Sequence, residues 1–460
     1  MLSWEKLLNP IRRKELHESK ETIGTGAGRT ELERDYDRIL FATPTRRLAD
    51  KTQVFPMEEN DSVRTRLTHS HEVSNLARSI GVRLAFEHAE EVFGKNHEEL
   101  GVKRNVPSLL AAVGLAHDLG NPPFGHQGEL AMQQWFSEKE ESFDIDFLQF
   151  DGNAQTFRLL TRLQVLNDQY GLNLTLSTLA ALIKYPSIYG ATDKGGFKKF
   201  GIFQSERDIA AEVWEHTGLN SGIRHPLAYI MEACDDIAYS VIDAEDTVKK
   251  GYASFYDLID HLESNCVQDE VTQRVITASK KKNLEFKESK LSSRELNDIS
   301  MQMFRVKAIH EMISAATSVF VEKSEDIMSG KIAPGFEIIK NSACGALCHA
   351  TKDFDFKYGF QHKDVLKLEL QGSNYIKNMM SMLWTAVSNG DNRIHPFGRY
   401  VFGAISENYR RVYNDSLESG KLPSSNYAKA QLICDALSGM TESYLIKKHD
   451  EFKSLENGRP

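Results

Sequence analysis

Apolar residues along this chain recur at spacings of three and four far more often than two, which is the pattern of helices buried along one side. In SHEVSNLARSIGVRLAFEHA they fall at Val73, Leu76, Ala77, Ile80, Leu84 and Ala85. PSLLAAVGLAHDLG predicts a second, more apolar helix, with Pro107 and Ser108 at its start and Gly120 with the Pro122-Pro123 pair at its end. PLAYIMEACDDIAYSVIDAEDTVKKG predicts a third, opened by Pro226 and closed by Gly251. ENYRRVYND and KAQLICDALSGMTESYLIKK carry the helical pattern to the C-terminus, while TASKKKNLEFKESKLSSRELNDIS (277–300) reads as a charged, solvated excursion between elements. Strand-like alternation is scarce, and KFGIFQSE with the YPSIYGATDKGGF region allows at most one small β-hairpin. The expected fold class is all-α, with no internal repeat of fixed period.

Three zones follow from this pattern. Residues 1–60 hold an amphipathic start, a glycine-rich bend (GTGAGRT, 24–30) and a basic stretch. The bend lacks the G-K-[ST] ending of a phosphate loop and follows no apolar strand, so it reads as a turn. Residues 61–250 form the helical core, and residues 251–460 are expected to pack on that core and to take part in subunit contacts.

Composition narrows the class without naming a chemistry. A chain of 460 residues, 41% hydrophobic and 26% charged, can bury a large core. A net charge of -9 excludes the overall basic field of a protein whose main partner is nucleic acid. The five cysteines form no C-x-x-C pair and are odd in number, which speaks against a zinc knuckle or a disulfide framework. MLSWEKLLNPIRRKE lacks the apolar centre of a signal peptide, and no stretch approaches the roughly 20 apolar residues of a membrane span. A cytoplasmic protein with no membrane partner is expected.

The candidate chemistry sits around GLAHDLGNPPFGHQGE (114–129). A divalent ion that polarises a phosphoryl group needs a few neutral imidazoles and carboxylates, with positions left open for water and substrate. His69 on the first helix, His117 and Asp118 at the end of the second, and Asp235 on the third supply that set. Buried charges in such apolar helices demand partners, and a shared cation serves as one. His71 lies two residues after His69, a turn of about 200° on a helix, so both cannot face one ion. Periodicity alone does not choose between Asp235 and Asp236.

His126 and Glu129 are three apart, so on a helix they can hydrogen-bond, with the carboxylate orienting the imidazole. Asp235, Tyr239 and Asp243 recur every four residues, which predicts one helix face. Arg66 precedes His69 by three, and Lys184 precedes Tyr185 at the end of TLAALIKY; a triphosphate would need such cations.

RTRLTHSHEV, AHDLGNPPFGHQGE and EACDDIAY, in this order, closely resemble the three signatures of the deoxyguanosine triphosphate triphosphohydrolases, a branch of the HD-domain phosphohydrolase superfamily. RRLADKTQVFP and DGNAQTFRLL resemble that branch too. The resemblance implies an HD-type helical core with additional C-terminal helices, and hydrolysis of a deoxynucleoside triphosphate, dGTP first, at the α-phosphorus to the nucleoside and inorganic triphosphate. It implies that His69, His117, Asp118 and Asp235 hold Mg²⁺ or Mn²⁺, with His71 outward and Asp235 preferred to Asp236. It further implies that His126 and Glu129 act on the leaving 5′-oxygen or its proton, that Gln53 and Tyr239 flank the sugar, with Asp243 one further turn along the same face, and that Arg66, Lys184 and Tyr185 serve the phosphates. His71 stands where the family commonly has an apolar residue. Homo-oligomers, hexamers or tetramers, and a second nucleotide as activator are also implied.

Two other functions keep the same fold: an HD phosphohydrolase acting on a nucleoside monophosphate or signalling nucleotide, and a nucleotide-binding regulator. The basic positions Arg38, Arg46, Arg47, Lys51 and Arg64 additionally allow a contact with single-stranded nucleic acid.

Overall fold

The computed structural model describes residues 1–18, 28–57, 62–164, 168–190, 196–388 and 396–456. The glycine-rich bend up to residue 27 and the boundary expected at residues 60–61 lie wholly or partly outside these. Among the described residues the regular structure is helical, and the β features are three isolated bridges. The expected hairpin is instead a single parallel bridge between Ile188 and Ile202. The Ser187 carbonyl accepts from both Gly201 N and Ile202 N, at 2.9 and 3.2 Å, and parallel segments cannot be joined by a tight turn.

The helices that position the site are α1 (Glu31–Phe41), α2 (Arg66–Glu87), α3 (Val102–Ala116), α4 (Gly125–Ser137), α5 (Pro226–Ile237), α6 (Asp243–Lys249), α7 (Ser293–Glu322), α8 (Gly345–Phe354), α9 (Lys363–Ser388) and α10 (Glu442–Glu456). All six apolar positions predicted for the first helix are buried on α2. Helix α3 starts at Val102, after Gly101 in the left-handed region, rather than at Pro107. Val102 and Val106 are buried, so the apolar stripe continues through the proline, at the cost of the one hydrogen bond that a proline nitrogen cannot make.

Helices α2 and α3 run antiparallel with their backbones in contact. A Cβ on Gly114 would lie 2.7 Å from Ser74 Cα, and one on Gly81 would lie 3.1 Å from Pro107 Cα. The Ser74 hydroxyl donates to the Ala111 carbonyl at 2.8 Å within the same contact. The N-terminal end of α2, with His69, is thereby brought beside the C-terminal end of α3, with His117.

The third predicted helix opens with Pro226 in its first turn and closes before Gly251, but a π turn over Ala238–Ile242 separates α5 from α6. The charged run 277–300 is solvated along most of its length, as its pattern suggests, but it is largely helical rather than an excursion between elements. It comprises the end of a helix over Glu270–Lys287, a short connection, and the start of α7, whose Ser292 and Glu295 form a capping box. Within the run Ser279, Asn283 and Ser300 are buried, and the apolar anchors Val275, Ile276, Met301 and Phe304 flank it on either side. One large hydrophobic core includes residues from Trp4 to Phe452, so all three zones share it, and Val54, Phe55, Val63 and Val365 form a second, small cluster. All five cysteines are free and buried, and among the described residues no helix is long and apolar enough to cross a membrane.

A Gly114→Ala substitution, which drives a methyl group into the α2 backbone, is expected to destabilise the protein by about 1–3 kcal/mol; a lowered midpoint in thermal unfolding checks it.

Candidate metal centre and active site

His69 is fully buried in the first turn of α2. Its Nε2 lies 3.2 Å from Asp235 Oδ1 and 4.0 Å from Asp118 Oδ2. His117, at the end of α3, donates from Nδ1 to the Gly114 carbonyl at 2.7 Å, the arrangement that leaves Nε2 as a lone-pair donor. That Nε2 is 3.5 Å from Asp118 Oδ2 and 3.6 Å from Asp235 Oδ1, and it is buried without a hydrogen-bond partner. The ligating atoms of His69, His117 and Asp235 lie within 4.8 Å of one another, and Asp118 stands beside them. An orphaned imidazole nitrogen facing carboxylates, with its other nitrogen pinned by a carbonyl, fits a divalent cation.

The electrostatics describe a pocket whose carboxylates favour positive charge. Burial pushes the His69 imidazole below the ordinary histidine value. Burial also opposes charge on His117, but Asp118 and Asp235 outweigh it and raise the group to about 9. Against the cost of burial, the His117 and His69 imidazoles hold Asp235 well below the usual carboxylate range.

The two neighbouring pairs left open by periodicity differ in position. His71 is exposed, on the opposite side of α2 from His69. Asp236 accepts from Lys352 of α8 at 2.5 Å, while Asp235 faces the histidines. Arg66 is buried; it donates to Asp118 and, at 3.1 Å, to the Thr52 carbonyl. Lys184 Nζ is 3.6 Å from Glu232 and 4.0 Å from Asp235 Oδ2, and lies 5.8 Å from the centre of the Tyr185 ring. Arg224 completes this group, donating to Glu232 and to the Lys184 carbonyl at 2.6 Å each.

The second half of GLAHDLGNPPFGHQGE starts α4. His126 Nδ1 meets Glu129 Oε2 at 2.7 Å; the imidazole side chain is 71% exposed and the carboxylate buried. The Gly152 amide donates to Glu129 Oε1 at 2.6 Å. A Cβ on Gly152 would lie 1.9 Å from Asn121 Oδ1 and 2.9 Å from Glu129 Oε1, so only glycine fits there. Asn121 Nδ2 in turn donates to Asp118 Oδ1 at 2.8 Å. Asp118, Asn121, Gly152, Glu129 and His126 thus form one continuous chain of contacts joining the metal-type cluster to the acid-base pair. The Glu129 hydrogen bond raises the His126 pKa above the ordinary histidine value.

Asp235, Tyr239 and Asp243 meet different surroundings, because the π turn breaks the four-residue repeat. Tyr239 is partly exposed, with Phe360 at 5.8 Å and Lys352 5.5 Å over its ring. Asp243 is fully buried and accepts from Arg64, which also donates to Asp246 and Glu72. Gln53 Oε1 is buried with no partner, as is Asp243 Oδ2.

The basic positions Arg38, Arg46, Arg47, Lys51 and Arg64 do not form one exposed face. Lys51 and Arg64 are buried in hydrogen bonds, Arg38 donates to the Leu172 carbonyl and Arg47 to the Tyr409 hydroxyl, leaving Arg46 exposed. Partners distant in the chain satisfy these cations, which local sequence could not show. Sequence reasoning also missed Lys199, 3.9 Å from Glu129 and bonded to Asp151, together with Lys352, Glu232 and Arg224. Of these, Asp151 lay within DGNAQTFRLL and Glu232 opened EACDDIAY, while the others carried no local signal.

The HD domain family matches residues 66–183, a span that contains His69, His117, Asp118, His126 and Glu129. The chain is 34% identical, over 481 aligned positions, to the deoxyguanosinetriphosphate triphosphohydrolase-like protein of Listeria monocytogenes, covering 99% of this chain and 100% of that protein. A protein of the same description from Synechocystis sp. is 30% identical over 99% of this chain and 100% of its own length. The deoxyguanosinetriphosphate triphosphohydrolase of Yersinia pestis is 30% identical over 92% of this chain and 93% of its own. With this similarity extending along nearly the whole chain, and the histidine and aspartate cluster lying where the helices converge, the chain belongs to the deoxyguanosinetriphosphate triphosphohydrolase-like family of HD-domain proteins.

Proposed function

We propose that this chain hydrolyses deoxynucleoside triphosphates, dGTP first among them, by attack of water at the α-phosphorus, releasing the deoxynucleoside and inorganic triphosphate. The observation that carries the reading is the convergence of His69, His117 and Asp235, with Asp118 adjacent, one short contact chain away from the His126–Glu129 pair. Mg²⁺ or Mn²⁺ held by these four residues would polarise the phosphoryl group and make bound water a stronger nucleophile at neutral pH.

The chain's own residues supply the rest. Arg66 and Lys184, which in this structure neutralise Asp118 and Asp235, provide charge for the triphosphate, and Tyr185 borders the same region. His126 gives its proton to the departing 5′-oxygen, and Glu129, fixed by the Gly152 amide, holds the imidazole in line. The deoxyribose is assigned to Gln53 and Asp243, each with an unpartnered acceptor, and to the Tyr239 ring. Assembly as a homo-oligomer, a hexamer or tetramer, and response to a second nucleotide are part of the proposal. So is a cytoplasmic, reducing environment, which five unpaired cysteines suit.

Incubating the protein with each of the four dNTPs and Mn²⁺ is expected to release inorganic tripolyphosphate; release of pyrophosphate and monophosphate alone overturns the reading. His126→Ala is expected to lower kcat by about 10²–10⁴-fold, measured by tripolyphosphate release, while Mn²⁺ binding is retained.

Because Glu129 raises the His126 pKa, the acid form persists to higher pH than in a free histidine. The pair's contribution to stability is therefore present at low pH and fades as pH rises through the raised value. In Glu129→Gln the alkaline limb of the kcat profile is expected to move to lower pH, read from initial rates across a pH series.

A further inference from the structure

Glu442 opens α10 at the far end of the chain, yet its carboxylate is buried at the entrance to α4. Oε1 accepts from Thr52 N at 2.7 Å and from Phe124 N at 3.0 Å, and Oε2 accepts from the Thr52 hydroxyl at 2.6 Å. One residue earlier, Lys51 Nζ ties the Asn121 carbonyl at 2.6 Å to the Ser438 carbonyl at 2.7 Å. The last part of the chain therefore clamps two segments: 51–53, which carries Gln53, and the corner 121–124, which delivers His126.

The corner needs holding. Phe124 has φ +62, a left-handed conformation unfavourable for a bulky residue and kept only where surroundings over-determine it. Its ring packs on Gly372 of α9, where a Cβ would come within 2.6 Å, and its amide is held by Glu442. His126 follows two residues later. The Thr52 carbonyl also accepts from Arg66 Nε at 3.1 Å, so the same clamp reaches the guanidinium bonded to Asp118. A buried carboxylate is untenable unless it is well bonded, and this one is bonded across the site rather than within its own helix.

We infer that Glu442 is a positioning residue for the proposed hydrolysis, fixing the Phe124 corner so that His126 meets the leaving oxygen, and fixing Thr52 so that Gln53 meets the sugar. The inference rests on the assignment of His126 made above. Glu442 touches no substrate; it acts through two backbone amides and one hydroxyl.

The test uses the full chain with Mn²⁺ and dGTP. Glu442→Gln keeps the size of the side chain but sets an amide NH₂ against donors; it is expected to lower kcat about 10- to 100-fold, the scale of a misplacement near 1 Å, with Mn²⁺ affinity unchanged. In His126→Ala/Glu442→Gln the losses should not multiply: the double variant should match His126→Ala within about twofold, because both changes remove one function. Amide hydrogen exchange of the segment 121–126 in metal-free protein should quicken in Glu442→Gln. Thr52→Val should raise KM about tenfold, and Thr52→Ser, which keeps the hydroxyl, should restore it; this pair carries the test if Glu442→Gln does not fold. Unchanged kcat and KM, multiplying losses, or unchanged exchange at 121–126 overturns the inference. An unsubstituted chain that releases no tripolyphosphate overturns the proposed reaction instead, and the exchange measurement still reports on the clamp.

Discussion

The backbone contact between Ser74 and Gly114 is the constraint on which the rest depends. Without a side chain at 114, α2 and α3 close until a serine hydroxyl bonds a carbonyl across the gap. The two histidines lie just beyond that contact on their respective helices, and their rings are left 5.4 Å apart. Two carboxylates then have to share the space, and a buried charge without a partner is untenable. Arg66 and Lys184 supply the balancing charge from either side. Helix packing thus sets the electrostatic problem, and the flanking cations answer it.

Much of this could be read along the chain because the chemistry lay on strongly periodic helices. The four ligand-type residues needed only a helical stripe and the expectation that buried charge seeks company. The angle between successive residues showed only that His69 and His71 cannot both face one ion; preferring His69 came from the family resemblance, and His71 is exposed. Preferring Asp235 to Asp236 could not come from periodicity, since the partner that draws Asp236 away is Lys352, on a helix more than a hundred residues later. A lysine bound for the site and a lysine bound for solvent look alike in one sequence, which is why Lys199 and Lys352 passed unnoticed. Pro107 misled for the opposite reason. Its local preference for a helix start was outweighed by Val102 and Val106, whose burial extends the helix backwards.

The C-terminal region offered little to recognise, yet it contributes at close quarters. Lys352 approaches Tyr239, Gly372 receives the Phe124 ring, and Glu442 grips the loop and the corner. Each is a single side chain, or the lack of one, on an otherwise ordinary helix. Such contributions are set by tertiary contacts and leave no local spacing to find.

The π turn over Ala238–Ile242 has a further meaning. A π turn widens the helix by an extra residue, so the stretch before it and the stretch after it answer to separate rotational settings. Before it, Asp235 faces the histidines; after it, Asp243 and Asp246 are turned into the grip of Arg64. What is guarded over those five positions is their number more than their chemistry. An exchange of one apolar residue for another leaves both settings in place, whereas losing a single residue would turn every later side chain of that helix by about a quarter of a revolution and carry acidic groups meant for a buried guanidinium out of its reach. In the history of such chains, insertions and deletions should be rarer there than replacements.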